Sequence, residues 1–502
     1  MQSEEINMKK SISKLLLAAI LLSLVSCSDE SLPSDSANDK PSDSDQTTET
    51  LPTGESSGVP DGTNFDGETI SVWYTATANA IGESFIDIAG ELTGDVLSDK
   101  IYNNNRIVEQ NIGVKFDFYN SGIPSNQAGN TVRTLVMADD NTYDAFFTIQ
   151  YNSAQLAVEG LYLNVSGMPY LSLDKPWWDA DYMNEMTIGN EVIYGLVGDY
   201  SIDRTRCLSS MFYNKKLSGD FYGDPDAICN DVIDGKWTFD RLAQISAEVY
   251  SDVNNDGKPD RGDRVGYCIN DYSNLDCLFY GTGARATTRD KDDFPVVSIN
   301  TERTADVCDR LYKLVYNTTG GYFQGHENRA QETLNNLVNF SEDNSMFLFG
   351  FLYNADGLRD MKSDFGIIPY PKLDENQESY HSITHDIMRI MFLPRNCGKP
   401  ETVCAALEEL AFIGWNDTLP TYYNTILKNK YSRDESTGRM IDLIRDDCTA
   451  DIAFIYNDAF NSVGYIYRTL IQNESNAFAS TFAKNETRTN EKISEFIEEF
   501  SK

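Results

Sequence analysis

Between Asp252 and Asp263 the chain reads Asp-Val-Asn-Asn-Asp-Gly-Lys-Pro-Asp-Arg-Gly-Asp. Acidic or amide oxygens fall at loop positions 1, 3, 5, 9 and 12, with glycine at position 6. Calcium takes about six to eight hard oxygen ligands, and a glycine at that point permits the sharp turn they need. Asp252, Asn254, Asp256 and Asp263 would offer side chains, Lys258 its carbonyl, and Asp260 an oxygen directly or through water. The spacing predicts a structural Ca²⁺ site. Position 12 is Asp rather than Glu, which makes bidentate closure harder, and a solvated acidic turn without metal is the alternative. Other chemistry finds less support. His381 and His385 stand four apart but lack the glutamate of His-Glu-x-x-His, so a structural role suits them, and His326, better than zinc. No Gly-x-Ser-x-Gly elbow and no phosphate-binding P-loop are present.

The elements that must hold these residues alternate between strand and helix. Thr69–Tyr74, Val114–Phe118 and Asp144–Ile149 read as strands. Lys100–Asn111, with Ile101, Ile107 and Val108, and Thr131–Ala138, with Val132, Leu135 and Val136, read as helices. That alternation predicts crossover units and a mainly parallel α/β lobe. Glu191–Leu196 and Ser210–Leu217 continue the apolar runs. Thr238 is a candidate N-cap for a helix with Phe239, Leu242, Ile245 and Val249 on one stripe. Trp237 and Leu242 occupy the two positions of a hydrophobic staple. Val265–Ile269 reads as a strand, so no long second helix follows the acidic loop.

The front of the chain is an address. Lys9, Lys10 and Lys14 precede an apolar run, Leu15–Val25, that closes in Leu24-Val25-Ser26-Cys27. Basic residues, a short apolar core and small residues before a cut site make an export signal. The run is too short to span a bilayer comfortably. It ends at a cysteine, as in the lipobox of bacterial lipoproteins, which predicts acylation at Cys27. Met8 is the better start, since Glu4 and Glu5 sit badly in a basic leader. Residues 28–66 are rich in Ser, Asp and Thr and nearly devoid of apolar side chains, which predicts a disordered tether. The 502-residue chain carries a formal net charge of -37. Nucleic acid is excluded as a partner on that charge, and self-repulsion favours a monomer. Eight cysteines remain beyond Cys27, without a Cys-x-x-Cys pair, and their pairing is open.

Several segments then occur in a telling order: "YGLVGD", "MFYNKKL", "KWTFDRLAQIS", the Asp-rich loop, "RVGY" and "DFGIIPYPK". The chain resembles bacterial extracellular solute-binding proteins of family 1, the lipid-anchored binding component of ABC-type sugar importers. The resemblance runs from about Glu68 to the end and includes the helix after Thr402 with Val403, Leu407, Leu410 and Ala411. It implies an α/β, two-lobed periplasmic-binding-protein-like fold of type II, with mainly parallel or mixed sheets flanked by helices and a ligand cleft between the lobes. Lobe one would be 68–203 plus 372–414, and lobe two 204–371 plus 415–502. The implied role is capture of a carbohydrate, an oligosaccharide in particular, by lobe closure, and delivery to a permease, without catalysis. The implied location is the outer face of the bacterial cytoplasmic membrane.

Sugar sites set aromatic faces against C–H faces and use carboxylates or amides for hydroxyls. In α/β lobes ligands sit beyond the carboxyl ends of strands. The candidates are Trp73 and Tyr74 after the first strand, and Gln150, Tyr151 and Asn152 after Ile149. Trp177 and Trp178 in a Pro-containing loop, and Tyr353 and Asn354 after the run Met346–Leu352, extend the set. Asp386 and Trp415, near the expected lobe crossings, complete it. A surface glycoside hydrolase and a calcium-dependent adhesin are the alternative functions.

Overall fold

The computed structural model describes residues 55–75, 88–189, 192–325, 329–424 and 435–500. The leader, Cys27, the tether up to residue 54, Glu191 and His326 lie outside the described residues. Strands β1 (Glu68–Tyr74), β2 (Val114–Asn120), β3 (Ala145–Ile149), β4 (Gly195–Leu196) and a late strand, β10 (Arg389–Phe392), form one five-stranded sheet in the order β2-β1-β3-β10-β4. Strands β5 (Ser209–Asn214), β6 (Val265–Ile269), β7 (Gly321–Phe323), β8 (Ser345–Phe351) and β9 (Phe365–Ile368) form a second, in the order β9-β5-β8-β6-β7. Both sheets are mixed. β1 runs parallel to β2 and β3, because a helix returns the chain after each strand, whereas β10 runs antiparallel to β3 and β4. In the second sheet β6 is parallel to β8 and β7, and β5 is antiparallel to β8 and β9. Both sheets belong to one compact unit, Gly54–Lys502. Among the described residues no helix is long and apolar enough to cross a membrane.

Local chemistry explains most boundaries. The crossover helix Val96–Ile112 starts at Asp95, whose carboxylate accepts from Leu97 N and Ser98 N, and ends at Gly113 with φ 65°. Its buried stripe is Leu97, Asn104, Val108 and Ile112, while Ile107, expected inside, is 44% exposed. The four-residue spacing of 104, 108 and 112 sets the face and turns Ile107 away from it. Helix Phe239–Val249 begins at Thr238, whose hydroxyl accepts from Arg241 N at 3.3 Å, and Trp237 and Leu242 are fully buried at its entry. The apolar run Ser210–Leu217 is divided: Asn214 ends β5 and caps helix Lys215–Tyr222, accepting from Leu217 N at 3.0 Å. The run up to Leu196 contributes only the short β4.

The tether ends sooner than its composition suggests. Gly58 N donates to Glu408 Oε1 at 2.9 Å, Ser57 Oγ donates to Glu409, and Val59 is buried, so the segment from Glu55 lies on the body. Polar composition misleads here because the partners are carboxylates on helix Pro400–Ile413 rather than an apolar surface. Glu408 is fully buried and also accepts from Ser172 N, Trp177 Nε1 and Trp178 Nε1 at 2.7 to 3.2 Å. A second buried charge, Arg389 at the start of β10, is held in a forked pair by Asp203, with both bonds at 2.6 Å, and stacks on Phe147 at 4.6 Å. Among the described residues no disulfide joins the eight cysteines beyond Cys27. Burial pushes Cys268, Cys308 and Cys404 up to about 12, which keeps them protonated and inert.

Candidate ligand cleft

The carboxyl ends of β3 and β8 open onto a cavity of about 570 Å³. β8 is buried along its whole length, and its last residues, Leu348–Phe351, line one wall. The chain then tightens into a helical turn that brings Tyr353 and Asn354 into the lining. Asn354 Oδ1 accepts from Phe351 N at 2.8 Å, which fixes that turn. Gly350 is required there, since a Cβ would lie 2.4 Å from Asn354 Oδ1. Phe351 and Tyr353 stack at 5.5 Å, and His385 meets the Phe351 ring edge-on at 4.3 Å. From the segments after β2 and β3 come Asn126 and Tyr151, from the segment after β6 come Asn270, Tyr272 and Asn274, and Asn336 adds another amide.

Asp386 organises the centre. Its carbonyl accepts from Tyr151 N at 3.0 Å, which fastens the turn after β3 to the segment before β10. Its carboxylate takes the Tyr465 hydroxyl at 3.3 Å and lies 3.0 Å from His385 Nδ1 and 3.9 Å from Arg468. Burial alone would raise this carboxyl, but the His385 hydrogen bond and the charges of His385 and Arg468 outweigh it and hold it below its usual range. Arg468 lies over the Tyr465 ring at 3.8 Å and donates to both oxygens of buried Asp276, with Nε to Oδ1 at 2.7 Å. Burial and the Asp386 charge push the Tyr151 hydroxyl up to about 12, so it is a neutral donor. A second cavity of about 540 Å³ shares Asn126, Tyr151, Asp386 and Arg468 with the first, and extends past Asn152, Gln155 and Arg133. The arrangement can hold a hydroxyl-rich molecule by rings and amides. Within the inner cavity Asp386 is the one carboxylate among the described lining residues.

The residues expected from sequence therefore divide. Tyr151, Tyr353, Asn354 and Asp386 come together in the inner cavity, and Asn152 lines the outer one. Six others do not reach either lining. Trp73 and Tyr74 are 2% and 3% exposed, and Trp73 packs edge-on against Phe146. They sit on a central strand covered on both faces, where an aromatic side chain is core. Gln150 is fully buried and accepts from the Tyr182 hydroxyl. Trp177 and Trp178 are buried on Glu408, and Trp415, on a π-helical turn, leans on Trp177 at 5.8 Å. Asn270, Tyr272 and Arg468 were not expected. The first two obey the same strand-end rule applied to β6, and the spacing of Tyr465 and Arg468, three apart, was a weak signal for the third.

The acidic loop is separate from the cleft. Oxygens of Asp252, Asp256 and Asp263 lie within 4.8 Å of one another. Gly257 takes φ 80°, as the turn requires, and its N donates to Asp252 Oδ2 at 2.9 Å. Asp263 is 2% exposed and accepts from Val253 N at 2.8 Å and Asp260 N at 3.2 Å. Asn254 donates an amide N–H to Asp260 at 3.0 Å, and its Oδ1 accepts from Asp256 N at 2.9 Å. Lys258 contributes its N–H to Asp256 at 2.9 Å.

No protein-family model matches the chain, and no curated protein matches it. Solved structures do share its fold. An ABC substrate-binding protein from Listeria monocytogenes, in complex with cycloalternan, is 13% identical, with a TM-score of 0.53 over 86% of this chain and 100% of that one. A cyclic alpha-maltosyl-1,6-maltose binding protein from Arthrobacter globiformis is 13% identical, with a TM-score of 0.56 over 85% and 99%. UgpB from Mycobacterium tuberculosis, in complex with glycerophosphocholine, is 12% identical, with a TM-score of 0.56 over 86% and 100%. The chain has the α/β fold of these binding proteins, as its ordered motifs implied.

Proposed function

We propose that the protein is an exported solute-binding protein, lipid-anchored at Cys27, that captures a carbohydrate between its two sheets and delivers it to an ABC transporter permease. The observation that carries this reading is the cleft: aromatic rings, amides and one half-buried carboxylate converge beyond the ends of β3 and β8, in a chain with the fold of ABC substrate-binding proteins. The lobes, 68–203 with 372–414 and 204–371 with 415–502, close on the ligand by hinge motion. Hydrolysis of a glycoside needs two carboxylates about 5 to 9.5 Å apart. The inner cavity offers Asp386 alone among its described lining residues, and the outer one adds Glu159, tied to Arg133, and Asp458, so recovery of the saccharide unaltered is the check on turnover.

A thermal-shift screen of the full chain against neutral oligosaccharides tests the reading, since a ligand of the native state raises the melting temperature by mass action. A concentration-dependent rise with at least one saccharide is expected; no rise with any of them contradicts it. The converging carboxylates of Asp252, Asp256 and Asp263 suit a hard cation. A structural Ca²⁺ there would stiffen the turn before β6, and Asp260 would have to release the Asn254 amide N–H to offer that oxygen. Calorimetry should show Ca²⁺ binding that Asp252→Asn abolishes, with chelator lowering thermal stability but not saccharide affinity. An adhesin would instead lose partner binding in chelator.

A further inference from the structure

Resting on the saccharide reading, we infer that the cleft admits uncharged and amino-bearing saccharides and rejects those with carboxylate, sulfate or phosphate groups. Anionic groups are held most strongly by a cation that is free to pair with them. Among the described residues lining the two cavities, the arginines are Arg133 and Arg468. Arg133 donates to both oxygens of Glu159, at 2.7 and 2.5 Å. Arg468 is engaged on both oxygens of Asp276 and has Asp386 at 3.9 Å. His385 faces the same Asp386 carboxylate. Every potential cation of the cleft is thus already matched by a carboxylate.

Among the described lining residues, the carboxylates of Glu159, Asp386 and Asp458 stand beside the guanidinium groups of Arg133 and Arg468. Asp458 adds an exposed carboxylate to the outer cavity, beside the Glu159 carboxylate. Such groups call for hydroxyl or ammonium donors from the ligand. Around Arg468 the carboxylates of Asp276 and Asp386 already face the guanidinium, so an anion entering the shared centre must compete with both. The whole-molecule charge of -37 acts in the same direction at longer range.

The test is a glycan array with neutral, amino and acidic members, read with the full chain, followed by calorimetry on the hits and on tetragalacturonate, a heparin tetrasaccharide and glycerophosphocholine. Neutral or amino-bearing glycans should be bound, and the anionic probes at least roughly tenfold more weakly. Binding of an anionic probe as tight as the best neutral glycan would overturn the inference while leaving saccharide capture standing. No binding of any glycan would overturn both. Asp276→Asn, which releases Arg468 from its forked partner, should narrow the discrimination against tetragalacturonate. Asp386→Asn should narrow it too, and serves if the first variant does not fold. Unchanged discrimination in a folded variant would contradict the charge mechanism.

Discussion

At the scale of the residue, the cleft shows how one side chain can be read two ways. Tyr151 and Trp177 were equal candidates in the sequence, yet Tyr151 faces the cavity and Trp177 gives its indole N–H to Glu408 at 3.2 Å. Tyr151→Ala and Tyr353→Ala are expected to weaken saccharide binding by roughly tenfold or more with little change in melting temperature. Trp177→Phe is expected to cost about 2 kcal/mol of stability, by orphaning part of a buried carboxylate, and to leave affinity intact. Calorimetry and thermal melts on the three variants separate the two behaviours. Asp386 gives a pH prediction. Its carboxyl titrates below its usual 3.8 in the folded protein, so its stabilisation is full above that value and fades as pH falls through the folded value. Acid titration below about pH 4 should therefore destabilise the native protein more steeply than Asp386→Asn. The burial of five of the sequence candidates, and the packing of half-buried Trp415 on Trp177, was not legible because aromatic and amide side chains serve cores and sites alike. What decides between them is a distant partner, such as Glu408 for Trp177 and Trp178, more than two hundred positions away.

At the scale of the element, the sequence was informative wherever a local signal sufficed. Thr238 capping its helix, the staple of Trp237 and Leu242, and strand β6 after the acidic loop all lie within a few residues of their cause. Thr238→Ala should lower stability by about 1 kcal/mol in denaturant unfolding without changing the slope. Strand β10 is the contrary case. It enters the first sheet some 190 residues after β4, antiparallel to β3, and nothing local marks that register. The forked pair of Asp203 with Arg389 pins it, and Arg389 also donates to the Thr75 carbonyl at 3.0 Å. Asp203→Ala leaves a buried guanidinium without its partner and is expected to cost about 3–5 kcal/mol, measured by urea unfolding. A double change that replaces both residues by apolar side chains should recover much of that loss.

At the scale of the whole molecule, the α/β class and the order of motifs were readable because each strand and helix carries its own periodicity, and the fold shared with solved binding proteins follows from their succession. The cleft was only partly readable because its lining is drawn from the turn after β3, the turns after β6 and β8, the segment before β10 and the late helix bearing Arg468. Those positions meet only once two sheets have formed, and no periodicity within one element encodes the meeting. The central claim is capture without chemistry, and titration of the full chain with a saccharide that raises its melting temperature tests it most directly. The account predicts a calorimetric isotherm saturating at one equivalent, markedly weakened in Tyr151→Ala, with the saccharide recovered unaltered after long incubation. New reducing ends in that incubation, or an isotherm indifferent to Tyr151→Ala, would contradict it.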